Sequence, residues 1–140
     1  MAWKDPVEKP RISCPFGKKG KTWRAGFHTG IDYACPVGTE VYAVADGKVI
    51  QTNYGAAYGI HLVVQAGVHR FIYAHLSKLN LKELKDGIVR QGDLIGWSGA
   101  TGHVFGAHLH LEARKAPYRY GIDAVDPKKC VQGDKHEKPA

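Results

Sequence analysis

The chain has no apolar run long enough to cross a bilayer, and its first residues, Met1-Ala2-Trp3-Lys4-Asp5-Pro6, lack the apolar core of a secretory signal peptide. Membrane insertion is therefore not expected, and synthesis in the cytoplasm is. Cysteine is scarce. Cys14, Cys35 and Cys130 are odd in number and cannot all pair internally. Reduced thiols are the expected state without a secretory signal, and a Cys14–Cys130 bridge tying the two ends has no support in the sequence. Acidic residues are outnumbered, 13 Asp and Glu against 20 Lys and Arg, for a formal net charge of +7. The cations gather at Lys18, Lys19, Lys21 and Arg24, at Arg114, Lys115 and Arg119, and at Lys128 and Lys129. Such a surface suits an anionic partner or plain solubility. No aromatic RNP stretch and no helical reading head accompanies it, so nucleic acid is not the expected partner. The glycine-rich stretch from Ser98 to Gly106 contains neither G-x-G-x-x-G nor a P-loop lysine, which argues against a phosphate cradle. There is no internal repeat and no low-complexity block.

What is present is a chain of 140 residues, the size of one domain with a real core, 44% hydrophobic. Its 17 glycines and 7 prolines punctuate short apolar runs, a pattern that predicts an all-β architecture with many turns. Residues 1–11 read as an extended lead-in, 12–130 as the folded domain and 131–140 as a polar, frayed tail. Ile12 to Gly17 reads as a short strand or loop, followed by a basic loop from Lys18 to Gly26. Pro36-Val37-Gly38 reads as a turn. Glu40–Val44 and Lys48–Gln51 are expected to pair as a hairpin about Asp46-Gly47. Ile60–Gln65 and Val68–Ala74 are expected as strands about Gly67, with His75 at the end of the second. Leu79–Leu84 reads as a short helical turn, and Gln91-Gly92-Asp93 as a tight turn before another strand.

The stretch that carries chemistry is Gly106-Ala107-His108-Leu109-His110-Leu111-Glu112. As a strand it sends His108, His110 and Glu112 to one face and Leu109 and Leu111 to the other. Paired imidazoles on a rigid element suit metal binding or acid–base work; two solvent-facing histidines are the alternative. Upstream, Phe27-His28-Thr29-Gly30-Ile31-Asp32 offers a second imidazole–carboxylate pair, with Gly30 permitting a bend between them. A surface histidine beside a turn aspartate is the plainer reading of that stretch. Together His28, Asp32, His75, His108 and His110 lie at strand ends or glycine-rich turns. Two imidazoles, one carboxylate and an open position make up a catalytic zinc site, with two histidines left for proton transfer. Glu112 fits either a partner of a metal-bound histidine or a solvated strand residue. His103 fits a substrate groove. His61 and His69 read as surface or core-edge residues, and Trp97 and Tyr73 as packing.

Phe27-His28-Thr29-Gly30-Ile31-Asp32, Tyr73-Ala74-His75-Leu76-Ser77 and His108-Leu109-His110-Leu111-Glu112 resemble the three signatures of the LytM/lysostaphin family of zinc endopeptidases. Pro15-Phe16-Gly17, Ala34-Cys35-Pro36-Val37-Gly38-Thr39, Ala45-Asp46-Gly47-Lys48-Val49, Gln91-Gly92-Asp93 and Gly99-Ala100-Thr101-Gly102 add to the resemblance, which covers roughly residues 12–130. It implies a compact antiparallel β-sheet core, related to the barrel-sandwich hybrid, with long loops walling a substrate groove. It implies one zinc ion held by His28, Asp32 and His110, with His75 and His108 as the catalytic histidines. It implies hydrolysis of peptide bonds in the stems or cross-bridges of bacterial peptidoglycan. Cys35, where a small residue is usual, and His103, where Asn or Ser is common, depart from the pattern without touching a ligand.

A short chain with no leader and no wall-binding module resembles a bacteriophage endolysin, made in the host cytoplasm and acting on the wall after release. The principal alternative is a non-catalytic LytM-like domain regulating another wall hydrolase, which typically has lost ligands that are present here. A lipoyl-type carrier would leave the histidines unexplained. A non-haem iron oxygenase would not account for His75 and His108.

Overall fold

The computed structural model describes residues 3–104 and 106–134, with side chains described as far as Cys130. Among these, ten strands and two helices follow one another. They are β1 (Ile12–Cys14), β2 (Gly30–Ala34), β3 (Glu40–Tyr42), β4 (Gly47–Gly55), β5 (Gly59–Ala66), β6 (His69–Leu79), α1 (Leu81–Leu84), β7 (Ile88–Val89), β8 (Leu94–Ser98), β9 (His108–Lys115), β10 (Ala124–Val125) and α2 (Pro127–Asp134). The strands lie in the order β1-β2-β9-β6-β5-β4-β7, with β8 bridging β6 and β3, and β10 beside β9. Neighbouring strands pair antiparallel. The all-β expectation holds.

The core forms because alternation along three central strands agrees in phase. On β9, Leu109, Leu111 and Ala113 are fully buried. Across from them, Tyr33 pairs with Leu109 and Ile31 with Leu111 on β2, while Tyr73 pairs with Leu111 and Phe71 with Ala113 on β6. Burying Leu109 and Leu111 contributes roughly 3–6 kcal/mol as an upper estimate. Val41, Val44, Leu62, Val64, Leu76, Val89 and Ile95 complete the same cluster. A one-residue slip of β9 would bring histidines and Glu112 into this layer, so the apolar face sets the register.

Turn chemistry behaves as expected at three glycines. Gly38, Gly67 and Gly92 have φ of 92°, 61° and 94°, the left-handed conformation that glycine adopts without strain. Asp46-Gly47 departs from expectation. β3 pairs with β8, and β4 pairs with β5 and β7, so the segments flanking Asp46-Gly47 do not form a hairpin. Gly47 is there for space: a Cβ would lie 2.5 Å from both Gln65 O and Val64 Cγ1. Asp46 instead accepts a hydrogen bond from the Gln91 N–H at 2.8 Å. His75 also differs from expectation. It lies inside β6, with φ of 63°, where the pairing with β5 slips between Leu62↔Tyr73 and Ile60↔Leu76. Such an irregularity re-aims a side chain out of the strand's alternation.

Of the tail expected from Val131 onward, residues 131–134 continue α2, and residues 135–140 lie outside the described residues. In the lead-in, Met1 and Ala2 also lie outside them, while Tyr42 N–H donates to Pro6 O at 2.7 Å and Val7 joins the core. Cys14, Cys35 and Cys130 are free thiols.

Candidate metal centre

The non-core face of β9 carries His108, His110, Glu112 and Arg114. Register aligns partners with them: Gly30 lies across from Glu112, Asp32 from His110 and Ala34 from His108 on β2, with Ala74 across from His110 on β6. Small residues therefore border the imidazoles. Gly30 begins β2 and does not supply the expected bend. A Cβ at Gly30 would meet Leu111 O at 2.4 Å and His110 Cε1 at 2.8 Å, so the position needs glycine for the close approach of His110.

One carboxylate oxygen gathers three rings. Asp32 Oδ1 lies 3.2 Å from His28 Nε2, 2.9 Å from His110 Nδ1 and 3.6 Å from His108 Nε2. The His75 ring centroid lies 5.0 Å from that of His108 and 6.0 Å from that of His110. The structure thus brings His28, Asp32, His75, His108 and His110 to one place. His103 sits exposed in the loop before β9, its N–H donating to Ala57 O at 3.0 Å.

Backbone carbonyls set the tautomers, because a carbonyl can only accept. The Nδ1–H of His28 donates to Pro15 O at 3.1 Å, that of His75 to Thr101 O at 2.8 Å and that of His108 to Gly106 O at 3.0 Å. Each ring therefore presents Nε2 to the site. The neck of the basic loop fixes His28, with Gly17 N–H donating to His28 O at 2.9 Å and His28 N–H to Lys18 O at 2.8 Å. Thr101 is anchored in turn: its hydroxyl donates to Leu76 O at 2.6 Å and accepts from Ile60 N–H at 3.0 Å.

His110 has the opposite orientation. Its Nδ1 faces Asp32, and its Nε2 lies 2.9 Å from Glu112 Oε1. Glu112 is fully buried. Its Oε1 also accepts from Thr29 Oγ1 at 2.9 Å and Tyr58 Oη at 2.7 Å, and its Oε2 from Arg114 Nε at 2.7 Å. Arg114 Nη2 closes the network onto Tyr58 Oη at 3.0 Å, and the Tyr58 ring stacks on His110 at 5.8 Å. Glu112 therefore orients His110 by a charge-assisted hydrogen bond, the type of support that holds metal-binding histidines.

The electrostatics follow from burial against these bonds. Burial opposes the charge on Asp32, but the hydrogen bond from His110 and the close approach of the His28 imidazole outweigh it and hold the carboxyl well below its ordinary range. Burial likewise opposes the Glu112 charge, yet His110, Arg114 and Tyr58 bring its pKa down to about 2. Burial would lower His110; the two carboxylates raise it to about 9. His75, buried and beside other imidazoles, is lowered to about 4 despite its bond to Thr101, so it is neutral at pH 7. Two neutral Nε2 donors or one Nε2 and one Nδ1, with a carboxylate, form a nitrogen–oxygen set suited to zinc. His28 Nε2, Asp32 Oδ1 and His110 Nδ1 present such a set, and a cation there would replace the proton shared between Asp32 and His110.

Several participants escaped the sequence reading. Thr29 sits inside the quoted His28–Asp32 stretch, Thr101 inside Gly99-Ala100-Thr101-Gly102, and Cys14 directly precedes Pro15-Phe16-Gly17, but Tyr58 and Arg114 carry no motif that ties them to the site. Cys14 Sγ, His28 and Asp32 place donor atoms within 4.8 Å of one another. A pocket lined by Gln51, Tyr58, His61, Arg70, Arg114 and Tyr118 continues the same face past Glu112.

The profile of peptidase family M23 matches residues 26–127. The chain is 47% identical over 90 residues to the glycyl-glycine endopeptidase ALE-1 of Staphylococcus capitis, covering 62% of this chain and 24% of that protein. It is 44% identical over 112 residues to the peptidoglycan DD-endopeptidase ShyA of Vibrio cholerae, covering 76% of this chain and 26% of that protein. The chain thus spans about a quarter of the length of these curated relatives. Among solved structures it resembles the catalytic domain of the antimicrobial peptidase lysostaphin from Staphylococcus simulans, with a TM-score of 0.77, 31% identity, and coverage of 88% of this chain and 92% of that one. A zinc-containing peptidase from Vibrio cholerae aligns with a TM-score of 0.75 and 34% identity, covering 91% of this chain and 40% of that one.

Proposed function

The chain belongs to peptidase family M23, and from that membership we propose that it is a zinc-dependent endopeptidase cutting peptide bonds of bacterial peptidoglycan. The observation that carries the proposal is the convergence of three imidazole nitrogens within 3.6 Å of Asp32 Oδ1, with Glu112 locked behind His110. His28, Asp32 and His110 are the residues assigned to hold the ion. Bound there, zinc supplies a Lewis acid that polarises the scissile carbonyl and brings the pKa of water to about 7.

The remaining roles fall to this chain's own groups. His75, neutral and donating through Nδ1 to Thr101, holds a free acceptor at Nε2 and takes the proton of the attacking water. His108, oriented by Gly106, presents Nε2 on the same side and, when it carries a second proton there, donates it to the oxyanion as that forms. The pocket beyond Glu112 extends the face along which a peptide would lie. The +7 charge favours approach to an anionic wall. Host lysis by a bacteriophage endolysin is the narrower form of the same proposal.

Purified walls of several cross-link chemotypes, digested with zinc-loaded protein, should yield new amino termini that mass spectrometry assigns to one peptide bond. His110→Ala should lose both zinc and lysis. His108→Ala should keep zinc and lose most turnover. Full lysis by His108→Ala removes His108 from the mechanism; intact walls with zinc-loaded wild type refute the endopeptidase. For the narrower role, induced expression together with a holin should lyse the host abruptly, and its failure to do so would leave only the wall hydrolase.

A further inference from the structure

We infer that Cys14 is a fourth protein ligand of the ion held at His28, Asp32 and His110, so that the resting centre is closed by a thiolate. This rests on the metal-centre reading above. Cys14 on β1 pairs with Asp32 on β2 where the register shifts after Ile12↔Tyr33, and such an irregularity re-aims a side chain out of the strand's alternation. The thiol therefore stands beside the carboxylate that gathers the imidazoles. Cys14 Sγ, His28 and Asp32 have donor atoms within 4.8 Å of one another. Tetrahedral zinc with bonds of about 2.0–2.3 Å sets its ligands about 3.3–3.8 Å apart. Donor atoms within 4.8 Å need to close by at most about 1.5 Å to reach that spacing.

Competition for the thiol is weak. Cys14 is not in a disulfide. Its recorded contact is with Pro15 O at 3.9 Å, long even for sulfur. The same Pro15 carbonyl orients His28, so thiol and imidazole are carried to the ion by one short segment. Ligation converts the Cys14 thiol to a metal thiolate and releases one proton to solvent, and thiolate is among the preferred ligands of zinc. Four protein ligands make a closed site. Water and substrate then gain access by displacing Cys14, and thiol-directed reagents compete with the ion for it.

Cobalt(II) titrated into the zinc-free full chain tests this. Wild type should bind one equivalent, with visible bands of a four-coordinate ion and a sulfur-to-cobalt charge-transfer band in the near ultraviolet. Cys14→Ser should retain the equivalent and lose the charge-transfer band, while Cys35→Ser keeps it. One bound cobalt without the band, or loss of the band in Cys35→Ser alone, overturns Cys14 ligation and leaves the metal centre standing. No bound cobalt overturns both. Should Cys14→Ser not fold, iodoacetamide labelling of wild type decides. Zinc should slow alkylation of Cys14 about tenfold or more relative to Cys35; equal rates with and without zinc overturn the inference.

Discussion

Replacing Glu112 with glutamine probes the support of the site without changing its shape. The carboxylate is fully buried and accepts four hydrogen bonds, three at Oε1 from His110, Thr29 and Tyr58 and one at Oε2 from Arg114. An amide that keeps its oxygen at the Oε1 position preserves three acceptances, now neutral. Its NH2 group then faces Arg114 Nε across 2.7 Å, donor against donor. Losing a charge-assisted bond removes about 1.5–3 kcal/mol. Leaving a largely buried guanidinium without its anion moves the total toward the 3–5 kcal/mol typical of broken buried pairs. About 3 kcal/mol is expected, or roughly 10 °C in Tm for a chain of this size. His110 also exchanges a carboxylate for an amide at Nε2, so zinc affinity should fall about 10- to 100-fold. Circular-dichroism melts and zinc competition against a chromophoric chelator measure the two losses. Adding Arg114→Met to Glu112→Gln should restore part of the stability but none of the affinity. A loss of stability below about 0.5 kcal/mol with unchanged zinc affinity would refute Glu112 as the anchor of His110.

Gly30→Ala should destabilise by about 1–3 kcal/mol and weaken zinc binding, because the new methyl meets an immobile carbonyl, Leu111 O, at 2.4 Å and the His110 ring at 2.8 Å; normal melting and normal zinc affinity would contradict the close-approach argument. Thr101→Val removes the hydroxyl that bonds Leu76 O and Ile60 N–H, with an expected loss of about 2 kcal/mol. Because the Thr101 carbonyl holds His75, kcat should drop more than KM changes. In the zinc-free protein, His110 has a folded pKa raised to about 9 from 6.5, so its stabilisation is complete below pH 6.5 and is lost as pH rises through 9. Glu112, lowered to about 2 from 4.5, stabilises above pH 4.5 and loses that as pH falls toward 2. Urea midpoints in chelator should therefore decline from pH 7 to 9.5, a decline absent in His110→Asn and in zinc-loaded wild type. A flat profile for the zinc-free wild type would show that His110 does not carry the extra proton.

Much of the fold was legible because its signals are local. Alternation of Leu109, Leu111 and Ala113 with His108, His110 and Glu112 assigns the two faces of β9 without reference to any neighbour. Gly38, Gly67 and Gly92 mark real left-handed turns. Asp46-Gly47 misled because the glycine serves close packing against Gln65 and Val64 rather than a turn conformation. His75 was legible as a candidate beside the other histidines, but its place in mid-strand at a pairing slip was not, since a slip depends on the partner strand.

By itself, the chain's order of residues determined which side chains are candidates for the site and which face of β9 His108, His110 and Glu112 occupy, since a period of two is a property of the backbone. Only the tertiary structure decided who stands opposite whom: Asp32 across from His110, Cys14 across from Asp32, and Thr29, Tyr58 and Arg114 around Glu112. Those pairings join residues as far apart as Thr29 and Glu112, 83 positions along the chain. Their register is set by how the buried faces of several strands interlock at once, a collective constraint that no single stretch of sequence contains.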